Sequence, residues 1–127
     1  MTTDYTLYTL TVATGDRQYA STGAKVYISL EACDSKTQEQ EYENGFKAGT
    51  TVDLEFHANI DPGELRLLNV RHDNTGPAPG WFLDYITVLK NESRERWDFR
   101  AYRWLAVDEA DKETKVVLGA FSYTPPQ

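Results

Sequence analysis

Apolar and polar residues alternate with a period of two along much of the chain. Tyr8, Leu10 and Val12 alternate with Thr9 and Thr11, and Val26, Ile28 and Leu30 with Tyr27, Ser29 and Glu31. Val52, Leu54 and Phe56 alternate with Asp53, Glu55 and His57. Leu68, Val70 and His72 alternate with Asn69 and Arg71, and Trp97, Phe99 and Ala101 with Asp98 and Arg100. A strand turns successive side chains to opposite faces, so each run predicts a half-buried strand, apolar side inward. Turn-forming residues separate the runs: Thr14-Gly15-Asp16, Ser21-Thr22-Gly23, Asn44-Gly45, Asp61-Pro62-Gly63 and Asn74-Thr75-Gly76-Pro77. Short strands joined by short loops predict an all-β sandwich or barrel.

Breaks in parity predict irregularities. Trp81 and Leu83 share one parity while Ile86 and Val88 share the other, which calls for a bulge near Asp84-Tyr85; Leu65 and Leu68 show the same offset. The prolines of Gly76-Pro77-Ala78-Pro79-Gly80 predict a stiff, extended loop. Trp104 to Lys115 has no apolar stripe and carries Asp108, Glu109, Asp111 and Glu113. It reads as a solvated turn before a last strand from Lys115 to Phe121, with a frayed end from Thr124.

Length and charge narrow the picture. The 127 residues predict one domain spanning 1–127. A net charge of −7 argues against nucleic acid as partner and against charge-driven docking to anionic lipid. A single cysteine, Cys33, and an N-terminus without a signal-peptide pattern set the expectation of a reducing, cytoplasmic location. Cys33 has no Gly-rich elbow or helix N-terminus beside it and reads as a half-buried thiol.

The remaining candidates divide between core and site. Trp81 is either a loop-borne lipid anchor or a core residue fixing the strand after the proline loop. Trp97 and Trp104 read as core beside Phe99 and Leu105. Tyr19, between Gln18 and Ala20 and away from any periodic run, is a candidate contact for a partner or a lipid headgroup, and Phe82 and Tyr85 join it as candidate binding residues. His72, on the inward parity before Asp73, reads as a satisfied histidine pinning a turn. No nucleophile elbow, phosphate loop or zinc-protease motif is present.

Several segments together resemble the PLAT family (polycystin, lipoxygenase, alpha-toxin). Tyr8-Thr9-Leu10-Thr11-Val12-Ala13-Thr14-Gly15-Asp16 is similar to its opening strand and turn. Ala20-Ser21-Thr22-Gly23-Ala24-Lys25-Val26-Tyr27-Ile28 is similar to its second strand. Gly63-Glu64-Leu65, Val70-Arg71-His72-Asp73-Asn74, Gly80-Trp81-Phe82-Leu83-Asp84-Tyr85-Ile86 and Trp97-Asp98-Phe99 with Arg103-Trp104-Leu105 follow in the family's order. The resemblance implies an antiparallel sandwich of two four-stranded sheets. It implies a module that carries enzymes to membranes or partner proteins, in some members through calcium held by loops at one end.

A calcium cage needs six to eight oxygens, several of them carboxylates. At positions where the resemblance places acids, this chain has Tyr19, Gly23, Gly45 and Pro79. Asp16, Glu43, Asn44 and Asp73 remain as candidate oxygens, an incomplete site. The leading expectation is a non-catalytic binding module, monomeric or homodimeric, taking a protein partner or a lipid-like small molecule at loops of one sandwich end without required cofactors. One alternative is a small isomerase- or cyclase-type enzyme with His72, Asp73, Tyr85 and Arg103 around an apolar substrate in a sandwich pocket. The other is a calcium-dependent peripheral membrane-binding domain.

Overall fold

The computed structural model describes residues 6–18, 20–43, 45–74, 80–106 and 114–126. Eight strands follow one another: β1 (Thr6–Thr14), β2 (Val26–Ala32), β3 (Gln40–Tyr42), β4 (Thr51–Ala58), β5 (Leu65–His72), β6 (Trp81–Lys90), β7 (Arg96–Leu105) and β8 (Lys115–Thr124). They lie in the order β3-β2-β5-β8-β7-β6-β1-β4, with every pairing antiparallel. Among the described residues there is no helix.

β8 joins the two layers. Its first half pairs with β5, from Arg71↔Lys115 to Leu67↔Gly119. Its second half pairs with β7, from Phe99↔Ala120 to Arg96↔Thr124. The expected sandwich of two four-stranded sheets is therefore present, with one strand crossing the seam. The crossing also carries β8 beyond Phe121. Ser122, Tyr123 and Thr124 are paired to Asp98, Trp97 and Arg96, so the last strand runs three residues past its expected end and takes in Thr124, the first residue of the end expected to fray.

The period-two residues fill the space between the layers. Tyr8, Leu10, Val12, Ile28, Leu30, Phe56, Leu68 and Phe99 are fully buried. Burying one such side chain is worth roughly 1.5–3 kcal/mol over leaving it exposed. Both predicted irregularities are present. Ala13 pairs with Tyr85 but Thr14 pairs with Leu83, so β6 holds an extra residue at Asp84. Glu31 pairs with Leu67 but Ala32 with Leu65, so β5 holds one at Arg66.

Three expectations fail on burial. Trp104 is half-buried instead of core, because it lies on the parity opposite to Leu105, outside the sandwich. Cys33 is exposed instead of half-buried, because it follows the last residue of β2 and faces out of the turn. Ser29, expected on a solvated face, is buried. Antiparallel connectivity places the last residues of β1, β3, β5 and β7 and the first residues of β2, β4, β6 and β8 at one end of the sandwich. Tyr19, Asn44, the Gly76–Pro79 part of the proline loop and the acidic Asp108, Glu109, Asp111 and Glu113 lie outside the described residues.

Candidate functional site

Two bulges side by side shape the outer face of the β1-β6-β7-β8 layer. Besides the extra residue at Asp84, β7 holds one against β6, since Leu83 pairs with Arg103 and Tyr85 with Arg100. Tyr102 lies in that bulge with φ 48°, a left-handed conformation that non-glycine residues adopt at a cost. Bulges bend a sheet and re-aim side chains. Here they turn Tyr85 and Tyr102 toward a common groove, and a third bulge, where Asp98 pairs with Ser122 but Phe99 with Ala120, makes Phe121 the extra residue of β8 beside them.

At its loop end lies Phe82, only 4% exposed. The Arg17 guanidinium sits 4.1 Å above its ring, and the rings of Tyr102 and Trp104 meet it edge-on at 5.2 and 5.3 Å. Gly15 lies so close that a Cβ there would come within 2.5 Å of Phe82 Cδ1, so glycine is required. Arg17 also donates from Nη2 to the Tyr102 hydroxyl at 2.8 Å. The β1–β2 loop is thereby clamped onto the sheet through one guanidinium and two rings.

The groove beyond this cluster has a volume of about 730 Å³. Tyr85, Tyr102 and Phe121 line it at 37%, 60% and 62% exposure. Arg100 stacks over Phe121 at 4.3 Å. On its wall, Asp98 ties three strands together. It accepts from Thr87 Oγ1 at 2.8 Å, from Ser122 Oγ at 2.6 Å and from Arg96 at 3.1 Å. Burial alone would raise the Asp98 carboxyl, but the bonds from Ser122, Thr87 and Arg96 outweigh it and hold the group below the ordinary carboxylate range. Neither Arg17 nor Arg100 has a carboxylate partner among the described residues.

The predicted binding residues separate. Tyr85 lines the groove. Phe82 supports its loop end from beneath Arg17. Trp81 presents no surface. It is fully buried, its indole Nε1 donates to Thr14 Oγ1 at 2.9 Å, and its ring lies against Phe46 at 5.1 Å. Of the four residues considered for catalysis, only Tyr85 borders the groove. The His72 ring is buried, with Nε2 donating to the Leu105 carbonyl at 2.6 Å and Nδ1 accepting from the Asn74 N–H at 3.0 Å. Arg17, Arg100, Tyr102 and Phe121 were not singled out by pattern. Tyr102 falls on the polar parity of its strand, and that was the available signal.

The candidate calcium oxygens are spread out. Asp16 is exposed and lies beside Gly49. The Asp73 carboxylate accepts the Lys25 backbone N–H at 3.1 Å, and Glu43 pairs with the Lys25 ammonium at 3.4 Å. Glu43, with Glu41 behind it, holds that ammonium above its ordinary pKa. Gly45, where the resemblance places an acid, has φ 65° and so favours glycine for its backbone. Among the described residues, no three of the types His, Cys, Asp and Glu come together to hold a metal ion.

Over residues 8–118 the sequence matches the PLAT/LH2 domain family. It is 34% identical over 111 residues to lipoxygenase homology domain-containing protein 1 of Homo sapiens, covering 82% of this chain and 5% of that protein. Against polycystin-1-like protein 3 of Mus musculus it is 30% identical over 105 residues, covering 80% and 5%. Among solved structures, coral 8R-lipoxygenase superposes at a TM-score of 0.76 and 22% identity, over 90% of this chain and 17% of that one. Clostridium perfringens alpha-toxin does so at 0.60 and 15% identity, over 98% and 32%. These structural likenesses carry the fold alone, and the chain spans only 5% of the length of the two curated relatives.

Proposed function

The chain belongs to the PLAT/LH2 domain family, and from that premise we propose that it takes a protein partner on the groove between Tyr85, Tyr102 and Phe121, without calcium. PLAT/LH2 domains are non-catalytic modules that mediate protein or lipid interaction. The observation that carries the finer reading is the pairing of exposed rings with guanidiniums that have no carboxylate partner among the described residues. Tyrosine and arginine are enriched at the energetic centres of protein interfaces. Each guanidinium here is already stacked on a ring, so less side-chain freedom is lost when a partner carboxylate arrives. The two bulges and the strained Tyr102 backbone fall at this same place.

Calcium activates the coral 8R-lipoxygenase through its C2-like domain. In this chain, the engagement of Glu43 and Asp73 by Lys25 and the left-handed backbone of Gly45 support a calcium-independent mode. The test compares wild-type protein with a Tyr102→Ala, Phe121→Ala, Arg100→Ala variant. Proteins co-purifying with each are identified by mass spectrometry, and vesicles are co-sedimented with calcium or with chelator. A partner retained by the wild type in chelator and lost by the variant is expected. Strong calcium-dependent pelleting with no such partner overturns the reading.

A further inference from the structure

We infer that the outer face of the other sheet holds a second site, for a phosphate monoester, formed by Ser29, Asn69, Lys36 and Lys115. Ser29 of β2 pairs with Asn69 of β5, and the neighbouring row runs through Arg71 of β5 to Lys115 of β8. Val26, Ile28 and Leu30 point into the core, so strand alternation turns Ser29 outward. There a hollow of about 390 Å³ lies between β2, β5, β8 and the β2–β3 loop, lined by these residues.

The decisive atom is Ser29 Oγ. It is on a residue only 1% exposed, and it has no hydrogen-bond partner. A buried hydroxyl left unpaired is costly, so one beside a hollow points to a ligand that satisfies it. The Asn69 amide donates one hydrogen to Glu31 across a long 3.3 Å bond, leaving the second for the hollow.

Charge selects the class of ligand. Lys36 and Lys115 form no ion pair among the described residues. Arg71 is held bidentately by Glu39 at 2.7 and 2.8 Å and stacks on Tyr27 at 4.1 Å, so both Glu39 oxygens are occupied. Among the residues that line the hollow, Arg71, Lys36 and Lys115 stand against one acid, Glu39, so the lining is positive on a chain of net charge −7, with Glu31 and Asp73 at its margin. Two ammonium groups, a hydroxyl donor and an amide donor match a phosphate ester, with a charge of about −1.5 to −2 and three acceptor oxygens.

Isotope-labelled protein titrated with inorganic phosphate, against sodium chloride at matched ionic strength, tests this site without reference to the groove on the opposite sheet. Saturable amide shifts at Ser29, Asn69 and Lys115 are expected. Lys36→Gln with Lys115→Gln should weaken phosphate about tenfold or more, the equivalent of about 1.4 kcal/mol. Ser29→Ala should weaken it several-fold. Vesicles of phosphatidylcholine with and without a phosphorylated inositol lipid separate the sources. Pelleting that depends on that lipid and on the two lysines assigns a headgroup, and saturation by phosphate without such pelleting assigns a free ester. Absence of both saturable shifts and lysine-dependent pelleting, or equal phosphate affinity in the double variant, overturns the site.

Discussion

Gln40 Oε1 accepts the backbone N–H of His57 at 3.0 Å, although β3 and β4 are the two outermost strands and share no ladder. The same carboxamide donates through Nε2 to the Glu55 carbonyl at 3.0 Å. Gln38 repeats the arrangement two residues earlier, donating to His57 O at 2.7 Å and accepting from Asn59 N–H at 3.1 Å. Tyr42 adds a bond from its hydroxyl to Glu55 O at 2.8 Å. Side chains therefore stand in for a missing strand and occupy the backbone groups that an open β4 edge would offer to another chain.

Replacing both glutamines by alanine should reopen that edge. Each net hydrogen bond is worth about 0.5–1.5 kcal/mol and the two carboxamides make four, so Gln38→Ala with Gln40→Ala should lower stability by at least about 2 kcal/mol. The freed edge should also promote self-association. Urea denaturation measures the first effect and sedimentation velocity over a concentration series the second. A double variant that stays as stable as the wild type and sediments independently of concentration would show that the amides do not close the edge.

Trp81 and Thr14 form a buried pair that a double-mutant cycle isolates. Trp81→Phe leaves the Thr14 hydroxyl without its donor, and Thr14→Val leaves the indole N–H without its acceptor. Each single change should cost about 1–3 kcal/mol. The double change should cost less than the sum, because the second substitution removes a group already orphaned. Additive effects in the cycle would mean that the two groups are independent.

The Asp98 carboxylate predicts an acid-sensitive joint. Its pKa is lowered in the folded chain. Its contribution is thus fully present above the unfolded aspartate value of about 3.9 and is lost as pH falls through the lowered folded value. Glu39, lowered by its bond from Arg71, and Asp61, lowered by its bond from Lys90, act in the same direction. Asp98→Asn should lower stability by about 1–2 kcal/mol at neutral pH. The gap between variant and wild type, read from urea midpoints, should narrow as pH falls below about 4. A gap that is constant across this range would remove the carboxylate charge from the explanation.

Much of this architecture is legible in the sequence because parity is a local property. The inward positions of β1, β4 and β5, and the bulges at Asp84 and Arg66, follow from counting residues. The groove is less legible. Arg17 meets Phe82 and Tyr102 only once the chain after β1 folds back over the sheet at Arg17, a contact across 85 positions in the case of Tyr102. Likewise, Gln38 and Gln40 are ordinary polar residues until the closing of the sandwich brings β4 beside them. Such contacts depend on long-range register and rotamer choice, which no short-range pattern encodes. Ser29 misleads for a related reason: its outward parity is right, and only its neighbours on β5 and the β2–β3 loop bury it.

His72 fastens two of the loops at the candidate site's end of the sandwich. Its Nδ1 accepts from the Asn74 N–H, which fixes the neutral ring with its proton on Nε2, and that proton is donated to the Leu105 carbonyl. Asn74 takes a left-handed φ of 58° to make the turn, while Leu105 ends β7. The imidazole thus couples the start of one loop to the start of another. Phenylalanine has a similar shape but supplies neither polar atom, so His72→Phe leaves a buried carbonyl without its donor. A loss of about 2–4 kcal/mol is expected, combining that orphaned group with imperfect repacking. Hydrogen exchange at the Asn74 amide should accelerate by more than global destabilisation accounts for, because its acceptor is gone even while the sandwich remains folded. If exchange at Asn74 rises only in step with the amides of β1 and β4, the ring is filling space there and the coupling between the two loops lies elsewhere.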